Sequence, residues 1–274
     1  MTLAAAAQHT AVPSWAGVAA SVVLVLMTLL VVHREGLGLG REVVVAAARA
    51  FAQLLAVGAL LGVLFRHAGL PGGLLWVLAM VAVGGSVSAG RGAGLPGVRR
   101  VALVAIAAGT ASTLGLLLLA HVVEATPRVV VPVGGMVVSA ATRGTSVVLL
   151  RLREQAQSAR REVEARLALG LPGAQAFAPH RRSALRTALV TDIDAVKTVG
   201  LISLPGAMTG LLLAGVSPLT AIRYQVVVMY MLLGAVSVSA AVAGHLATRE
   251  LFDDAQRLAQ VEGSPSRKAR TTAR

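Results

Sequence analysis

The chain has 274 residues, of which 56% are hydrophobic and 14% charged, and it contains no cysteine. Soluble domains are about one-quarter charged, so the composition excludes a soluble domain, and the missing cysteine excludes disulfides, thiolate metal sites and cysteine nucleophiles. The formal charge of +13 does not call for nucleic acid as a partner, because arginines beside membrane spans orient membrane proteins and account for it.

Long apolar runs predict an all-α, polytopic integral membrane protein. A run of about 18 or more apolar residues can cross roughly 30 Å of hydrocarbon as a helix, and a helix satisfies its own backbone hydrogen bonds in lipid. We therefore assign residues 1–250 to a transmembrane domain in contact with membrane lipid. The predicted transmembrane helices, about seven, are 14–32, 43–65, 74–90, 101–123, 129–150, 187–213 and 220–244.

The segments between these spans alternate between few and many arginines. Residues 1–13 contain none, whereas residues 151–186 contain eight. Because arginine-rich segments stay on the cytoplasmic side, the alternation predicts an odd number of crossings, an outer N-terminus and a cytoplasmic C-terminus. We expect a multi-pass protein of the inner or plasma membrane that ends in a disordered basic tail over 251–274.

The one large hydrophilic piece is the segment 151–186. Residues 151–169 have helix composition, and Glu162 and Arg166 are spaced to form an i,i+4 ion pair. Gly-Leu-Pro-Gly at 170–173 predicts the end of that helix, since glycine caps it and proline cannot continue it. Such a helix–turn–helix on the cytoplasmic face is either a docking surface or a solvated connector.

Nucleotide and metal motifs are missing from the sequence. It has no loop of the form G-x-x-x-x-G-K-[ST], so we expect no Walker-type nucleotide site and no enzymatic activity of the chain itself. The six histidines are scattered and form no His-x-x-x-His pair. We therefore expect this chain to bind no cofactor.

Polar and ionisable residues inside the predicted spans are the candidate substrate path. Such groups are costly in lipid and point to function, although hydrogen bonding between helices or pairing within one helix is the alternative. Asp194 and Lys197 are three residues apart and can neutralise each other, which leaves Asp192 to line the path and to be the candidate metal ligand. The candidate path residues are Arg49, Gln53, Met136, Thr142, Arg143, Ser146, Asp192, Asp194, Lys197, Ser203, Pro205, Met208, Thr209 and Gln225.

The string 200–210 is the most specific of the chain. Pro205 in the middle of a predicted span removes a backbone hydrogen bond and predicts a kinked or broken helix. A broken helix exposes carbonyl groups that can face a transport path. Gly206 and Gly210 form a G-x-x-x-G pair that permits close helix packing.

Four segments carry a family resemblance. They are Arg-x-x-x-Gln-Leu at 49–54, the residues 132–152 with Pro-x-Gly-Gly-Met at their start, the string 164–170, and the longest, 200–225. On these segments the sequence resembles the FetB-like (YbbM) permease family, membrane subunits of ABC-type transporters that are associated with iron export. The resemblance covers most of the chain and is densest over 132–233.

The resemblance implies a homodimer of permease subunits driven by two cytoplasmic ATPase subunits, which bind the ATP. The segment 151–186 would be their dock, with Glu164, Ala165 and Gly170 in the coupling motif. The chain departs from the family pattern at Ser139-Ala140, at Leu211 and at 191–194. Two alternatives stay open, namely an ATP-independent carrier coupled to protons or sodium, and a non-transporting membrane sensor.

Overall fold

The computed structural model describes residues 15–67 and 69–261. This part of the chain is largely helical, which confirms the all-α class. The helices are α1 (Trp15–Arg34), α2 (Gly40–His67), α3 (Gly69–Arg91), α4 (Val98–Leu119), α5 (Pro127–Ser158), α6 (Arg160–Ala168), α7 (Gly173–Ala176), α8 (Ala178–Thr198), α9 (Gly206–Leu213) and α10 (Pro218–Glu250). In the described residues, six helices, α1 to α5 and α10, are long and apolar enough to cross a membrane.

The chain divides into two compact units. The first comprises the chain up to Gly69 together with Gly206–Ile222, and so holds α1, α2 and α9. Gly36 and Gly38, both with positive φ, turn the chain between α1 and α2, which is the role glycine fills without steric cost. α1 and α2 then pack against each other along apolar side chains that include Val22, Leu29 and Phe51.

The second unit comprises Leu70–Pro205 and the chain from Arg223 onward. One core cluster joins α3, α4, α5 and α10 through residues such as Val77, Ile106, Val137 and Val236. A second cluster joins the last part of α5 to α6, α7, α8 and the end of α10. Its largest fully buried side chain is Phe177.

Small residues let α4, α5 and α10 cross with their backbones close together. A Cβ atom at Gly109 would lie 2.8 Å from the Cβ of Ser239 and 2.9 Å from the carbonyl oxygen of Ala235. A Cβ atom at Gly144 would lie 3.2 Å from the carbonyl oxygen of Val236. The buried Ser239 hydroxyl donates to the carbonyl of Ala141 at 3.2 Å, as serine does when it joins packed membrane helices.

The predicted span 187–213 is not one continuous helix. α8 ends at Thr198 and α9 begins at Gly206, and the residues between them form a turn in which Gly200 has φ +79° and its N–H donates to the Ser203 carbonyl at 2.9 Å. Pro205 stands directly before α9, where its missing N–H leaves no helical bond unmade. The break within the span 187–213 agrees with the kinked or broken helix expected of Pro205. Whether this part of the chain crosses the membrane stays a prediction.

The boundary expected at residue 150 is absent. α5 continues without interruption to Ser158, because 151–158 are good helix formers that extend the apolar helix before them. α6 begins at Arg160 and ends at Ala168. The expected glycine follows this end, and Gly170 has φ +84°. The predicted ion pair is also present, with Arg166 Nη2 2.7 Å from Glu162 Oε1.

Residues 251–261 pack against the rest of the second unit. Leu251 and Leu258 are buried in the same cluster as Phe177. Their backbones form an antiparallel hairpin, in which the Ala259 N–H donates to the Leu251 carbonyl at 2.9 Å. This part of the expected disordered tail is therefore ordered in the structure, and residues 262–274 lie outside the described part of the chain.

Candidate functional site

The side chains of Arg143 and Asp192 meet between α5 and α8. Arg143 lies about 24 Å along the axis of α5 from its first residue, Pro127. Its Nη2 is 3.4 Å from the Asp192 Oδ1, and its Nη1 donates to the Ser139 Oγ at 3.3 Å. The Asp192 side chain is 19% exposed and that of Arg143 is 55% exposed. The sequence leaves Asp192 without an assigned partner, and the structure gives it Arg143.

Ser88 on α3 links two candidate path residues on α5. Its Oγ lies 2.9 Å from the Ser146 Oγ and donates to the Thr142 carbonyl at 3.2 Å. The Thr142 Oγ1 donates to the Val138 carbonyl at 2.7 Å and fills the space that a Cβ at Gly84 would need. Thr142 and Ser146 therefore help to hold α3 on α5.

Ser88 was not among the predicted site residues. The signal that could have found it is the serine pair at 86 and 88 directly after Gly84-Gly85, inside an otherwise apolar span. Small residues followed by a hydroxyl are typical of close, hydrogen-bonded helix contacts in membranes.

Asp194 and Lys197 form the ion pair that their spacing predicts. The Lys197 Nζ lies 3.0 Å from the Asp194 Oδ1, and both side chains are exposed on α8. Because Asp194 is two residues from Asp192, the two carboxylates point about 200° apart on the helix. The two carboxylates of α8 therefore have separate cationic partners, Arg143 and Lys197.

Several polar groups are buried in the second unit without an internal partner. Gln225 on α10 is 5% exposed and its Oε1 accepts no hydrogen bond from the described residues. The hydroxyls of Thr110 and Thr145 are likewise buried and unsatisfied by that part of the chain. Since an unmade buried hydrogen bond costs about 1–3 kcal/mol, this interior is more polar than packing alone requires.

The remaining candidate path residues are divided between the two units. Arg49 and Gln53 are exposed on α2, and Met208 and Thr209 are half-buried on α9, all in the first unit. Met136 on α5 is half-buried, and Ser203 and Pro205 lie in the turn after α8, in the second unit. The path residues that the structure brings together are thus Arg143 and Asp192, between α5 and α8, and Thr142 and Ser146, which Ser88 links on α5.

Metal ligation by this chain rests on few groups. In residues 15–67 and 69–261, no cluster of three or more histidine, cysteine, aspartate or glutamate side chains could hold a metal ion. Asp192 offers one carboxylate, already paired with Arg143. A metal cargo at Asp192 would therefore need to displace Arg143 and to find further ligands.

The segment α6–α7 is fixed to the second unit by buried side chains and hydrogen bonds. Val163 and Ala176 are fully buried in the cluster around Phe177. The Arg166 Nη1 donates to the Ala176 carbonyl at 3.1 Å, which ties α6 to α7. The segment is therefore a packed part of the fold and not a loosely solvated connector.

The predicted coupling residues lie on the exposed side of this segment. The Glu164 Oε1 accepts from the Arg160 Nε at 2.7 Å, and Ala165 is exposed. Gly170 turns the chain at the end of α6, and Leu169 and Leu171 beside it are 83% and 40% exposed. Sequence reasoning missed these leucines, although two leucines around a helix-ending glycine are the visible signal.

These features define an all-α, multi-pass membrane protein with charged and hydroxyl side chains between its helices and a packed hydrophilic segment beside its apolar spans. Residues 15–252 match the family described as "Uncharacterised protein family (UPF0014)". The chain belongs to this family.

Named relatives agree with this assignment. The rice "UPF0014 membrane protein STAR2" is 42% identical over 239 residues, covering 87% of this chain and 84% of the relative. The Arabidopsis thaliana "Protein ALUMINUM SENSITIVE 3" is 38% identical, covering 88% of each chain. The Escherichia coli "Probable iron export permease protein FetB" is 32% identical, covering 88% of this chain and 93% of the relative. No solved structure is significantly similar to the chain.

Proposed function

We propose that this chain is the membrane-spanning permease subunit of a transporter that a separate ABC-type ATPase drives. The E. coli relative is named an iron export permease, and the present sequence contains no Walker loop of its own. The energy for transport would therefore come from a partner that binds ATP. We further propose that two copies of the chain form the membrane part of the complex.

The observation that carries this proposal is the exposed apolar tip of the hydrophilic segment. Leu169 is 83% exposed and stands beside Gly170, while the helix behind it is anchored by the fully buried Val163. Leu169 and Leu171 together make an exposed apolar patch beside the charged side chains of α6, which we take as the contact surface for a partner protein. The arginine-rich composition of 151–186 favours the cytoplasmic side, where an ATPase would meet it.

The proposed path runs along the contact of α5 and α8. Asp192 supplies a carboxylate, which suits hard divalent cations better than soft ones. Arg143 occupies this carboxylate at 3.4 Å, so a cation would bind only when the two helices separate or the arginine turns away. This arrangement would make cation access depend on a change at the α5–α8 contact.

A reconstituted system tests the proposal. The chain is placed in lipid vesicles with a candidate ABC-type ATPase from the same organism, and Fe²⁺ or Mn²⁺ movement and ATP hydrolysis are measured together. We expect movement that requires ATP. Leu169→Gln should weaken ATPase association several-fold, whereas Leu119→Gln should not, since Leu119 is 81% exposed but lies at the end of α4, away from the segment.

Other outcomes would identify the alternatives. Metal movement that needs a proton or sodium gradient and no ATPase would make the chain an ion-coupled carrier. Failure of the wild-type chain to bind the ATPase, together with no metal movement under either condition, would favour a membrane sensor.

A further inference from the structure

The chain after α10 folds into a short hairpin, residues 251–261, which we name the C-terminal hook. Its turn is closed by Asp253, whose carboxylate accepts from the Arg257 N–H and from the Arg257 Nε, both at 2.8 Å. Phe252 and Leu258 pair across the hairpin. The hook continues α10 directly, since the Leu251 N–H donates to the Ala247 carbonyl at 3.1 Å.

The hook contacts Gly173, three residues after Gly170 of the predicted coupling motif. The Gly173 N–H donates to the Gln256 Oε1 at 2.7 Å. The ring of Phe252 packs so closely on Gly173 that a Cβ there would lie 2.6 Å from it. Gly173 is also the first residue of α7, so these contacts fix the position at which the chain leaves the turn at Gly170.

Further hydrogen bonds join the hook to α5 and α6. The Arg160 Nη2 donates to the Leu258 carbonyl at 3.3 Å, and the Gln157 Nε2 donates to the Val261 carbonyl at 3.4 Å. Arg160 also forms an ion pair with Glu164. A single arginine thus connects the hook to the predicted coupling residue.

Gln256 adopts an unfavourable backbone conformation to make its contact. Its φ is +58°, a left-handed conformation that is unfavourable for a non-glycine residue because its Cβ approaches the following carbonyl oxygen. Glycine would relieve this cost but would lose the side-chain acceptor for Gly173. Strain of this kind is retained where the surrounding structure fixes it and is often found at functional positions.

The hook and the hydrophilic segment 151–186 line one open groove of about 710 Å³. Its charged side chains are paired, Arg160 with Glu164 inside the groove and Arg257 with the neighbouring Asp253. Leu167, Leu171 and Pro172 supply an apolar wall on the coupling side. A partner chain that covers the exposed Leu169 would therefore extend onto a surface to which both segments contribute.

On the basis of the proposed function, we infer that the C-terminal hook is part of the ATPase-docking surface and positions its coupling turn through Gln256. The ATPase is the occupant because the groove is continuous with the exposed apolar tip at Leu169 and Leu171. The hook also gives the docked ATPase a second mechanical connection to the membrane helices, through α10, beside the one through α8.

The test compares Gln256→Ala with two matched variants of the full chain. Gln256→Glu keeps an acceptor oxygen for the Gly173 N–H, and Gln260→Ala removes the same side chain from an exposed position of the hook. Amide hydrogen exchange at Gly173, measured without any partner, reports the positioning. Association with the same candidate ABC-type ATPase, measured by titration of the purified proteins, reports the docking.

We expect Gln256→Ala to speed exchange at Gly173 by roughly fivefold, as loss of one hydrogen bond implies, and to weaken ATPase association by a similar factor. Gln256→Glu and Gln260→Ala should stay within twofold of the wild type in both measurements. Faster exchange with unchanged ATPase association, or unchanged exchange, would overturn the inference while leaving the proposed function intact. Wild-type protein that binds no ATPase would overturn both.

Discussion

Arg143 on α5 and Asp192 on α8 form an ion pair that connects two helices at 3.4 Å. The Arg143 guanidinium also donates a hydrogen bond to the Ser139 Oγ. Because an unpaired charge in a membrane helix costs roughly 2.5–3.5 kcal/mol at the bilayer centre, the two residues should depend on each other.

A double-mutant cycle measures this dependence. Arg143→Gln and Asp192→Asn each leave the other charge without its partner, and the double variant leaves neither charge. We expect the double variant to be more stable than the sum of the single effects predicts, by about 0.5–1 kcal/mol for a partly exposed pair. The measurement is thermal unfolding of the purified protein in one detergent. Additive effects of the two changes would show that the pair contributes nothing.

Gly109→Ala should destabilise the protein. A methyl group there meets the Ser239 Cβ at 2.8 Å and the Ala235 backbone oxygen at 2.9 Å, so α4 and α10 would have to move apart at a cost of about 1–3 kcal/mol. Gly115→Ala on the same helix is the control, since nothing lies within 4 Å of its new methyl group and alanine favours helix. Unfolding midpoints that fall equally in both variants would contradict the close crossing.

Two single cysteines decide whether 187–213 crosses the membrane. The chain has no cysteine, and Ala174 and Ser217 are both exposed, so each can be replaced and labelled without background. We expect Ser217→Cys, and not Ala174→Cys, to react with a membrane-impermeant reagent added outside intact cells, because arginine-rich 151–186 favours the cytoplasm. Labelling of both positions from one side would remove the seventh crossing.

The hook should loosen in acid. The pKa of Asp253 is held below its ordinary value, mainly because its carboxylate accepts the backbone N–H of Arg257 and also because the Arg257 guanidinium binds it. A carboxyl group with a lowered folded pKa stabilises the fold above its unfolded pKa, and that contribution is lost as the pH falls through the folded pKa. The protection factors of the amides across 251–261, which correct for the slower intrinsic exchange in acid, should therefore fall in that range.

Asparagine variants of adjacent aspartates test the origin of this acid effect. Asp253→Asn should abolish the pH dependence because residue 253 then has no carboxylate to be protonated. Asp254→Asn should retain the pH dependence. Equal acid loosening in Asp253→Asn and the wild type would assign the effect to another group.

Local features of the fold followed from the sequence. Apolar runs predicted the helices now seen as α1 to α5 and α10, because a span in lipid is fixed by its own length and composition. The spacing of Glu162 with Arg166 and of Asp194 with Lys197 predicted their pairs, because residues three or four apart share one helix face. The positive φ at Gly170 followed from its place at the end of a helix.

Contacts between distant parts of the chain did not follow. Ser88 with Ser146, and Gln256 with Gly173, depend on how helices pack, and helix periodicity contains no information about which neighbour a face will meet. The basic tail over 251–274 was expected to be disordered. The apolar residues that anchor it, the buried Leu251 and Leu258 with the half-buried Phe252 and Val261, are too few to form a recognisable pattern by themselves.

The C-terminal hook also constrains the order of biogenesis. Val163, Ala176 and Phe177 are buried together with Leu251 and Leu258, which the ribosome adds only after α10. Until then the hydrophilic segment exposes part of its apolar interior, and the turn at Gly173 has no Gln256 to hold it. The surface proposed to receive the ATPase would therefore be completed only after translation has passed the hook, so that assembly with the partner would select chains that contain the folded hook.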